Sequence, residues 1–395
     1  MIPHLARTTL TEELTPWQEI SERRRPDLRE LVDKKILPLV DEIERSQIFP
    51  KQIYKWLGEG GFLSIGASRE QGGEGGGRTS EVMVVEELTR AGAGIVMSVV
   101  PFFIVRIAIW EFGTPEAIHE VGEPMIRGDR IVGICMSEPD AGSDVSSIRT
   151  RAVPDGKGGW KISGSKMFIT NGTIATDLLV VARTGEKRGS DNIGLFLMDT
   201  NQPGYTARKL DKEASRASDT TAVFMEDCYV PAHRVVGSPT AGFRNAMRVL
   251  NGERILSVAR AVALARTSWE DTVQWARSHD VNGHPALAYQ AWQGPLAAAT
   301  AELWFMRLAL EDCCRRWDSG DAAVEEASML KTAATLLSVR ITSKMQELMG
   351  EEAYSLNSRV GRNARDARLG TVAAGSEQIM HRILARLNDW PEAIE

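Results

Sequence analysis

Between about Ile131 and Val236 the hydrophobic period of the chain shortens from that of helices to that of strands, and helical sequence flanks this block on both sides. That order restricts the fold more than any other feature. Inside the block, Ile148-Arg-Thr-Arg-Ala-Val153, Trp160-Lys-Ile-Ser163, Asp177-Leu-Leu-Val-Val-Ala-Arg183, Ile193-Gly-Leu-Phe-Leu-Met198 and Thr221-Ala-Val-Phe-Met225 read as short strands. Asp155-Gly-Lys-Gly-Gly159 reads as a hairpin turn between two of them. From Pro16 to about Arg130 the pattern is helical, with Leu28, Leu31, Val32 and Ile36 on one face until Pro38 interrupts it. From Gly242 onward, long Ala- and Leu-rich helical segments return, with turns at Asn282-Gly-His-Pro285 and Ser319-Gly320. A chain of 395 residues exceeds a single compact core. The prediction is an α+β protein in three parts: a helical domain over 1–130, a β domain over 131–236 and a helical domain over 237–395.

Two segments of the β block carry chemistry. Met136-Ser-Glu-Pro-Asp-Ala-Gly-Ser-Asp144 and Lys166-Met-Phe-Ile-Thr-Asn-Gly172 place small residues (Ala141, Gly142), hydroxyls (Ser137, Ser143, Thr170) and the aromatic Phe168 on neighbouring stretches. Exposed amides and hydroxyls suit the heteroatoms and phosphates of a large flat cofactor, and an aromatic wall suits its ring. The glycine run Gly72-Gly-Glu-Gly-Gly-Gly77 is not a phosphate cradle: no strand precedes it and the lysine of a P-loop is missing, so it reads as a flexible connector.

Other function classes are set aside by composition. A net charge of −6 argues against general nucleic-acid affinity. Cys135, Cys228, Cys313 and Cys314 form no disulfide framework, which fits a reducing, cytoplasmic setting. The N-terminus has no apolar signal core, with Arg7 alone and Glu12 and Glu13 arriving early. Ala91 to Trp110 is the most membrane-like stretch. It contains Pro101 and Arg106, and reads as a buried pair of core helices, so no membrane partner is expected. The scattered histidines find no carboxylate or cysteine to complete a ligand set, and no metal site is expected.

The two cofactor segments resemble closely the flavin-contacting segments of the acyl-CoA dehydrogenase family in order, spacing and residue type. The resemblance extends over nearly the whole chain, through Gly61-Phe-Leu-Ser-Ile-Gly66, Arg216-Ala-Ser-Asp-Thr220 with Val230-Pro231, and Arg365-Asp-Ala-Arg368. It implies an N-terminal helical domain, a central β-barrel-like domain and a C-terminal four-helix bundle, with FAD between barrel and bundle. By position, it places Met136 and Ser137 at the flavin pyrimidine, Gly142 and Ser143 at the ribityl and phosphate region, and Phe168 and Thr170 on the ring near its reactive nitrogen.

The implied reaction, α,β-dehydrogenation of an acyl thioester carried by CoA or an acyl-carrier protein, needs a base at the α-carbon and a polarised carbonyl. Much of the family carries its base as a Glu directly before a Gly in the last helix-linking loop; here that dipeptide is Ala374-Gly375. Either the chemistry is lost or the base lies elsewhere. Asn251-Gly-Glu253-Arg254 supplies a candidate, because the isovaleryl-CoA and long-chain branch carries its base at the position of Glu253 and a small residue at that of Ala374. By the same resemblance the Ala374 N–H meets the thioester oxygen, and Arg254 and Asn251 bind substrate. Glu253 read alone is an acidic residue in the first turn of a helix. Glu377, one turn beyond Ala374, is a rival base.

The resemblance weakens at the far end of the cofactor. An Arg and a Phe that grip the FAD pyrophosphate of a neighbouring subunit correspond to His279 and Asn282, and a Gln and Gly-Gly pair at the adenine correspond to Glu347 and Gly350-Glu351. A His is a weaker phosphate partner than Arg, and Glu repels. Weaker FAD binding, or contacts supplied by a paralogous partner subunit, follows; a homo- or hetero-oligomer is expected. An electron-transfer flavoprotein is the implied electron acceptor. Two other readings stay open: a flavin-dependent monooxygenase on the same scaffold, and a non-catalytic subunit of a heteromeric enzyme.

Overall fold

The computed structural model describes residues 14–186 and 189–391; the stretch with Arg7, Glu12 and Glu13 lies outside them. The N-terminal part holds α1 (Pro16–Leu31), α2 (Val40–Ser46), α3 (Gln52–Glu59), α4 (Gly77–Ala91), α5 (Ala93–Phe112), α6 (Pro115–Ala117) and α7 (Glu123–Ile126). The strands β1 (Val132–Cys135), β2 (Arg151–Pro154), β3 (Trp160–Thr170), β4 (Asp177–Arg183), β5 (Ile193–Asp199), β6 (Tyr205–Lys209) and β7 (Thr220–Val230) follow. The C-terminal part has α8 (Gly242–Ser278), the small hairpin β8 (Asp280–Val281) and β9 (His284–Pro285), then α9 (Gln290–Asp318), α10 (Val324–Met349), α11 (Arg359–Ala367) and α12 (Glu377–Leu387). Helical domain, curled half-barrel sheet and helical bundle are the predicted α+β architecture.

Local chemistry explains several boundaries. Thr15 and Gln18 form a capping box ahead of Pro16, whose missing N–H costs nothing at the first helical position. Ser358 and Ser376 cap α11 and α12. The seven strands form one sheet in the order β1-β4-β2-β3-β7-β6 with β5 on β4; β4 runs parallel to β1 and β2, and the other pairs are antiparallel. One core runs from the N-terminal helices through α8 into the bundle, and a second lies within the sheet around Ile162, Val180, Phe196 and Val223.

Four expectations need correction. The stretch from Ala93 to Phe112 is a single helix, not a pair, running through Pro101; burial of its residues on nearly all sides overrides the break that proline makes in an isolated helix. The helix is long and apolar enough to cross a membrane, and 89% of that window is buried inside the protein. The glycine run is no flexible connector: a Cβ on Gly73 would lie 2.2 Å from the Ser64 carbonyl oxygen and one on Gly77 2.4 Å from Asp318, so these glycines permit close backbone packing. Ile148–Thr150 is loop, because the Arg149 and Thr150 amides donate to the Glu138 carboxylate rather than to a ladder. Finally, α8 begins at Gly242, so Glu253 stands well inside the helix and its dipole reading does not apply.

Candidate active site

The cofactor half of the site is built on β1 and β3. After Cys135 the chain turns tightly, with the Glu138 and Ala141 backbones exchanging hydrogen bonds of 2.9 and 3.2 Å. Beneath this turn the Lys166 ammonium donates to the Glu138 carboxylate at 3.0 Å and to the Met136 carbonyl at 2.9 Å. Both side chains are buried. Burial pushes the Glu138 carboxyl up, but Lys166 and the Thr150 and Arg149 donors outweigh it and hold the group below its ordinary range. The Met167 amide completes the link by donating to the Ser137 carbonyl at 2.9 Å. Sequence alone gives Lys166 and Glu138 no role; in the fold they lock the two segments together.

A register shift on β3 between Lys166 and Ile169 then turns the next side chain outward. Phe168 takes a left-handed backbone (φ 61°) and its ring is 71% exposed. At the strand end Asn171, with φ 71°, is fully buried; its amide nitrogen donates to Tyr54 Oη, the Ser98 carbonyl and the Val132 carbonyl at 2.9–3.0 Å. On the outward surface Ser137 and Thr170 are half-buried and Gly142 and Ser143 exposed, while Met136 is buried. The side-chain hydroxyls of Ser137, Ser143 and Thr170 have no hydrogen-bond partner among the described residues, and a Cβ on Gly142 would meet nothing within 4 Å. A bare aromatic face ringed by unused donors fits an isoalloxazine ring and its ribityl chain.

On α12, Arg382 adds a weak attraction that helps hold the Asp144 carboxylate ionised, after the larger effect of the Ser146 hydroxyl. Glu253 projects from α8 with no hydrogen bond or ion pair among the described residues. Burial raises its carboxyl to about 7, against the opposing pull of Lys331, Arg254 and Arg260. Part of its surface remains accessible, so the group is hemmed in without being sealed off. Lys331, buried on α10, donates to the Gly375 carbonyl at 2.5 Å and the Gly370 carbonyl at 3.3 Å. These carbonyls bracket Ala374, which sits at φ 58° beside Gly375 at φ 89°. Glu253 and the Ala374 loop are thus both neighbours of one lysine.

The remaining candidates fall in varied places. Asn251 has both ends of its amide engaged, donating to the Ala322 carbonyl and accepting from Arg254 at 3.2 Å. Arg254 is buried and its Nε lacks a partner. Glu377 lies in the first turn of α12, 3.9 Å from His381. The Arg216–Thr220 segment is scaffolding: Asp219 takes the Thr173 amide and hydroxyl at 2.8 and 2.7 Å, and Asp366 takes the Ser215 amide at 2.9 Å. His279 stacks on Trp275 with ring centroids 4.0 Å apart, Trp275 donates to Glu352 at 2.9 Å, Asn282 makes the β8–β9 turn at φ 52°, and Glu347 pairs with Lys344 at 2.7 Å.

Two cavities flank these parts. One of about 560 Å³, lined by Glu213, Ala214, Gln346, Arg365, Arg368 and Leu369, lies at the boundary between sheet and bundle. The other, about 360 Å³, shares no residue with either half of the site. Its buried charges are already matched: Glu81 pairs with both Arg78 and Arg106, and the Asp318 carboxylate is drawn to Arg78 as well.

The chain matches the acyl-CoA dehydrogenase N-terminal domain over residues 18–129, the middle domain over 133–228 and the C-terminal domain over 240–387. It is 31% identical to the mitochondrial 2-methylacyl-CoA dehydrogenase of Solanum tuberosum, covering 89% of this chain and 86% of that one. A chain in the structure described as an electron transferring flavoprotein of Acidaminococcus fermentans superposes with a TM-score of 0.91 at 27% identity, covering 96% and 99%. The glutaryl-CoA dehydrogenase of Mycobacterium smegmatis in complex with FADH2 superposes with a TM-score of 0.88 at 26% identity, covering 95% and 96%. On all three domain matches, the chain belongs to the acyl-CoA dehydrogenase family of FAD-dependent flavoprotein oxidoreductases.

Proposed function

We propose that the protein oxidises an acyl thioester to its α,β-unsaturated form, with Glu253 taking the α-proton. Bound FAD supplies the acceptor for the hydride leaving the β-carbon. The protein's own residues do the rest. Phe168, Ser137 and Thr170 orient the cofactor ring, Ala374 offers its amide to the thioester oxygen, and Glu253 receives the proton. The observation that carries this reading is the unpaired Glu253 carboxyl, raised to about 7 by burial and sharing Lys331 as a neighbour with the Ala374 loop. A base is most effective when its pKa lies near the working pH and its lone pairs are free. The small residue at 374 with a carboxylate at 253 supports placement in the isovaleryl-CoA and long-chain branch. CoA or a carrier protein presents the thioester, and an electron-transferring flavoprotein receives the electrons.

Anaerobic mixing with a panel of acyl-CoA and acyl-carrier-protein thioesters tests this. Flavin absorbance should bleach with at least one of them. Glu253→Gln should leave the resting spectrum intact and slow bleaching by about 10²–10⁴-fold, the scale of a positioned acid or base. Glu377→Gln should behave nearly as the parent. A Glu253→Gln protein that bleaches at the parental rate would overturn the assignment.

A further inference from the structure

We infer that Lys331 is a positioning residue that sets both halves of the thioester-activating site, tying down the loop that presents the Ala374 amide and placing a cation beside the Glu253 carboxylate. The inference rests on the reading of Glu253 as base.

The loop needs such a tie. Ala374 and Gly375 are consecutive left-handed residues, and alanine is disfavoured there, so the conformation persists only if the surroundings hold it. Ser376 caps α12 on one side of the pair, and the short helical turn Arg368–Thr371 closes the other. Between them the Gly370 and Gly375 carbonyls converge on one ammonium. These bonds hold the Gly370–Thr371 and Gly375–Ser376 peptides against α10 and so pin the loop on both sides of the Ala373–Ala374 peptide that carries the Ala374 N–H.

A buried ammonium satisfied only by neutral carbonyls is costly. Lys331 is 1% exposed and makes no ion pair among the described residues. Burial lowers its pKa to about 8, so it is charged through the lower part of the tested range; Glu253 of α8 and, more weakly, Glu377 of α12 favour the charged form, while Arg260 and Arg254 oppose it. On the neighbouring helices, Arg78 of α4, which crowds Gly252, and Arg106 of α5 share Glu81, and Asp318 of α9 caps α4. On α8 itself Arg260, buried with its Nε and Nη1 unpartnered, is drawn both to Asp366 of α11 and to Glu253. Lys331 is the strongest attraction on Glu253. Deprotonated Glu253, the form competent to accept a proton, is therefore the form that Lys331 favours.

The test compares Lys331→Met, Lys331→Gln and Lys331→Arg with Glu253→Gln in the flavin-loaded enzyme. In Lys331→Met the acid limb of kcat/KM should move up by about one pH unit, because removing a nearby cation raises a carboxyl pKa. Activity at pH 6 should fall about tenfold beyond any change at pH 9, and amide exchange over residues 370–376 should quicken. Lys331→Gln keeps a donor for one carbonyl and should show the shifted limb with less quickening, which separates charge from tethering if the methionine variant folds poorly. Lys331→Arg should restore the limb toward the parental position. An unmoved limb in both neutral variants, with Glu253→Gln inactive, overturns the role of Lys331 alone. An active Glu253→Gln overturns the base reading, and this inference with it.

Discussion

Glu138 and Lys166 form a 3.0 Å ion pair in the interior directly under the segments that carry Ser137, Phe168 and Thr170. The Arg149 and Thr150 amides and the Met136 carbonyl bind the rest of the pair, so the two charges are fixed in a closed network.

Removing one member should therefore be far worse than its small size suggests. Lys166→Met strands a buried carboxylate, a loss of about 3–5 kcal/mol for pairs of this kind. The expected outcome is a less stable protein that purifies with little FAD, measured by denaturant unfolding and by flavin released on denaturation. Glu138→Gln combined with Lys166→Met removes both charges and should recover part of the stability without recovering cofactor retention. Full FAD occupancy in Lys166→Met would show that the pair does not shape the cofactor surface.

The raised Glu253 carboxyl gives opposite signs for activity and stability. Activity needs the carboxylate, so kcat/KM should climb with pH through a limb near 7. Stability runs the other way: a carboxyl raised in the folded state from 4.5 to about 7 binds its proton more tightly folded than unfolded. Its favourable share is present at low pH and is lost as pH rises through that window. Glu253→Gln should flatten this contribution, so the variant gains stability relative to the parent between about pH 5 and 7. Parallel urea unfolding at several pH values checks it; a gap that does not change with pH would contradict the shift.

At the distal end of the cofactor, Glu347, Glu351 and Glu352 concentrate negative charge where the family resemblance expects an adenine and pyrophosphate. His279 stacks on Trp275 and its Nδ1 lies 3.7 Å from the Glu352 carboxylate, an anion in the place of a phosphate. Combining His279→Arg with Glu347→Gln should slow FAD loss on dilution by about tenfold, because a charge-assisted hydrogen bond to phosphate forms and a repulsion disappears. Stopped-flow trapping of released flavin measures this. An unchanged release rate would mean that this surface does not meet the cofactor.

Much of the fold was readable from the residues because the strong signals are local. Period change marked the β domain, the two motif blocks pointed to the surface where Phe168 and the unused hydroxyls lie, and the pairing of Glu253 with Ala374 pointed to the base proposed above. The failures have physical causes. β1 is four residues long with Gly133 inside it, and β6 (Tyr205-Thr-Ala-Arg-Lys209) carries two charges, so neither stands out as an apolar strand. α8 begins at Gly242, where the helical pattern returns, but the Asn251-Gly252 pair looks like a helix start and puts Glu253 in a false first turn. Ile148–Thr150 looked like strand because no sequence window shows that Glu138 takes its amides. Lys331 was missed for the same reason: a lysine on a long helix reads as solvated surface until the Gly370–Gly375 loop folds back over it.

Asn171 has a consequence for how the molecule comes apart. One amide group joins α3, α5 and β1 at the end of the strand that bears Phe168. The N-terminal helices are therefore the anchorage of the cofactor strand as well as a cover for the bundle. Excising them would take away two of the three oxygens that hold this amide and leave the strand end unmoored, so the sheet is no autonomous flavin-binding module. Heat or denaturant should melt helices and sheet in a single step, and the flavin should leave in that same step.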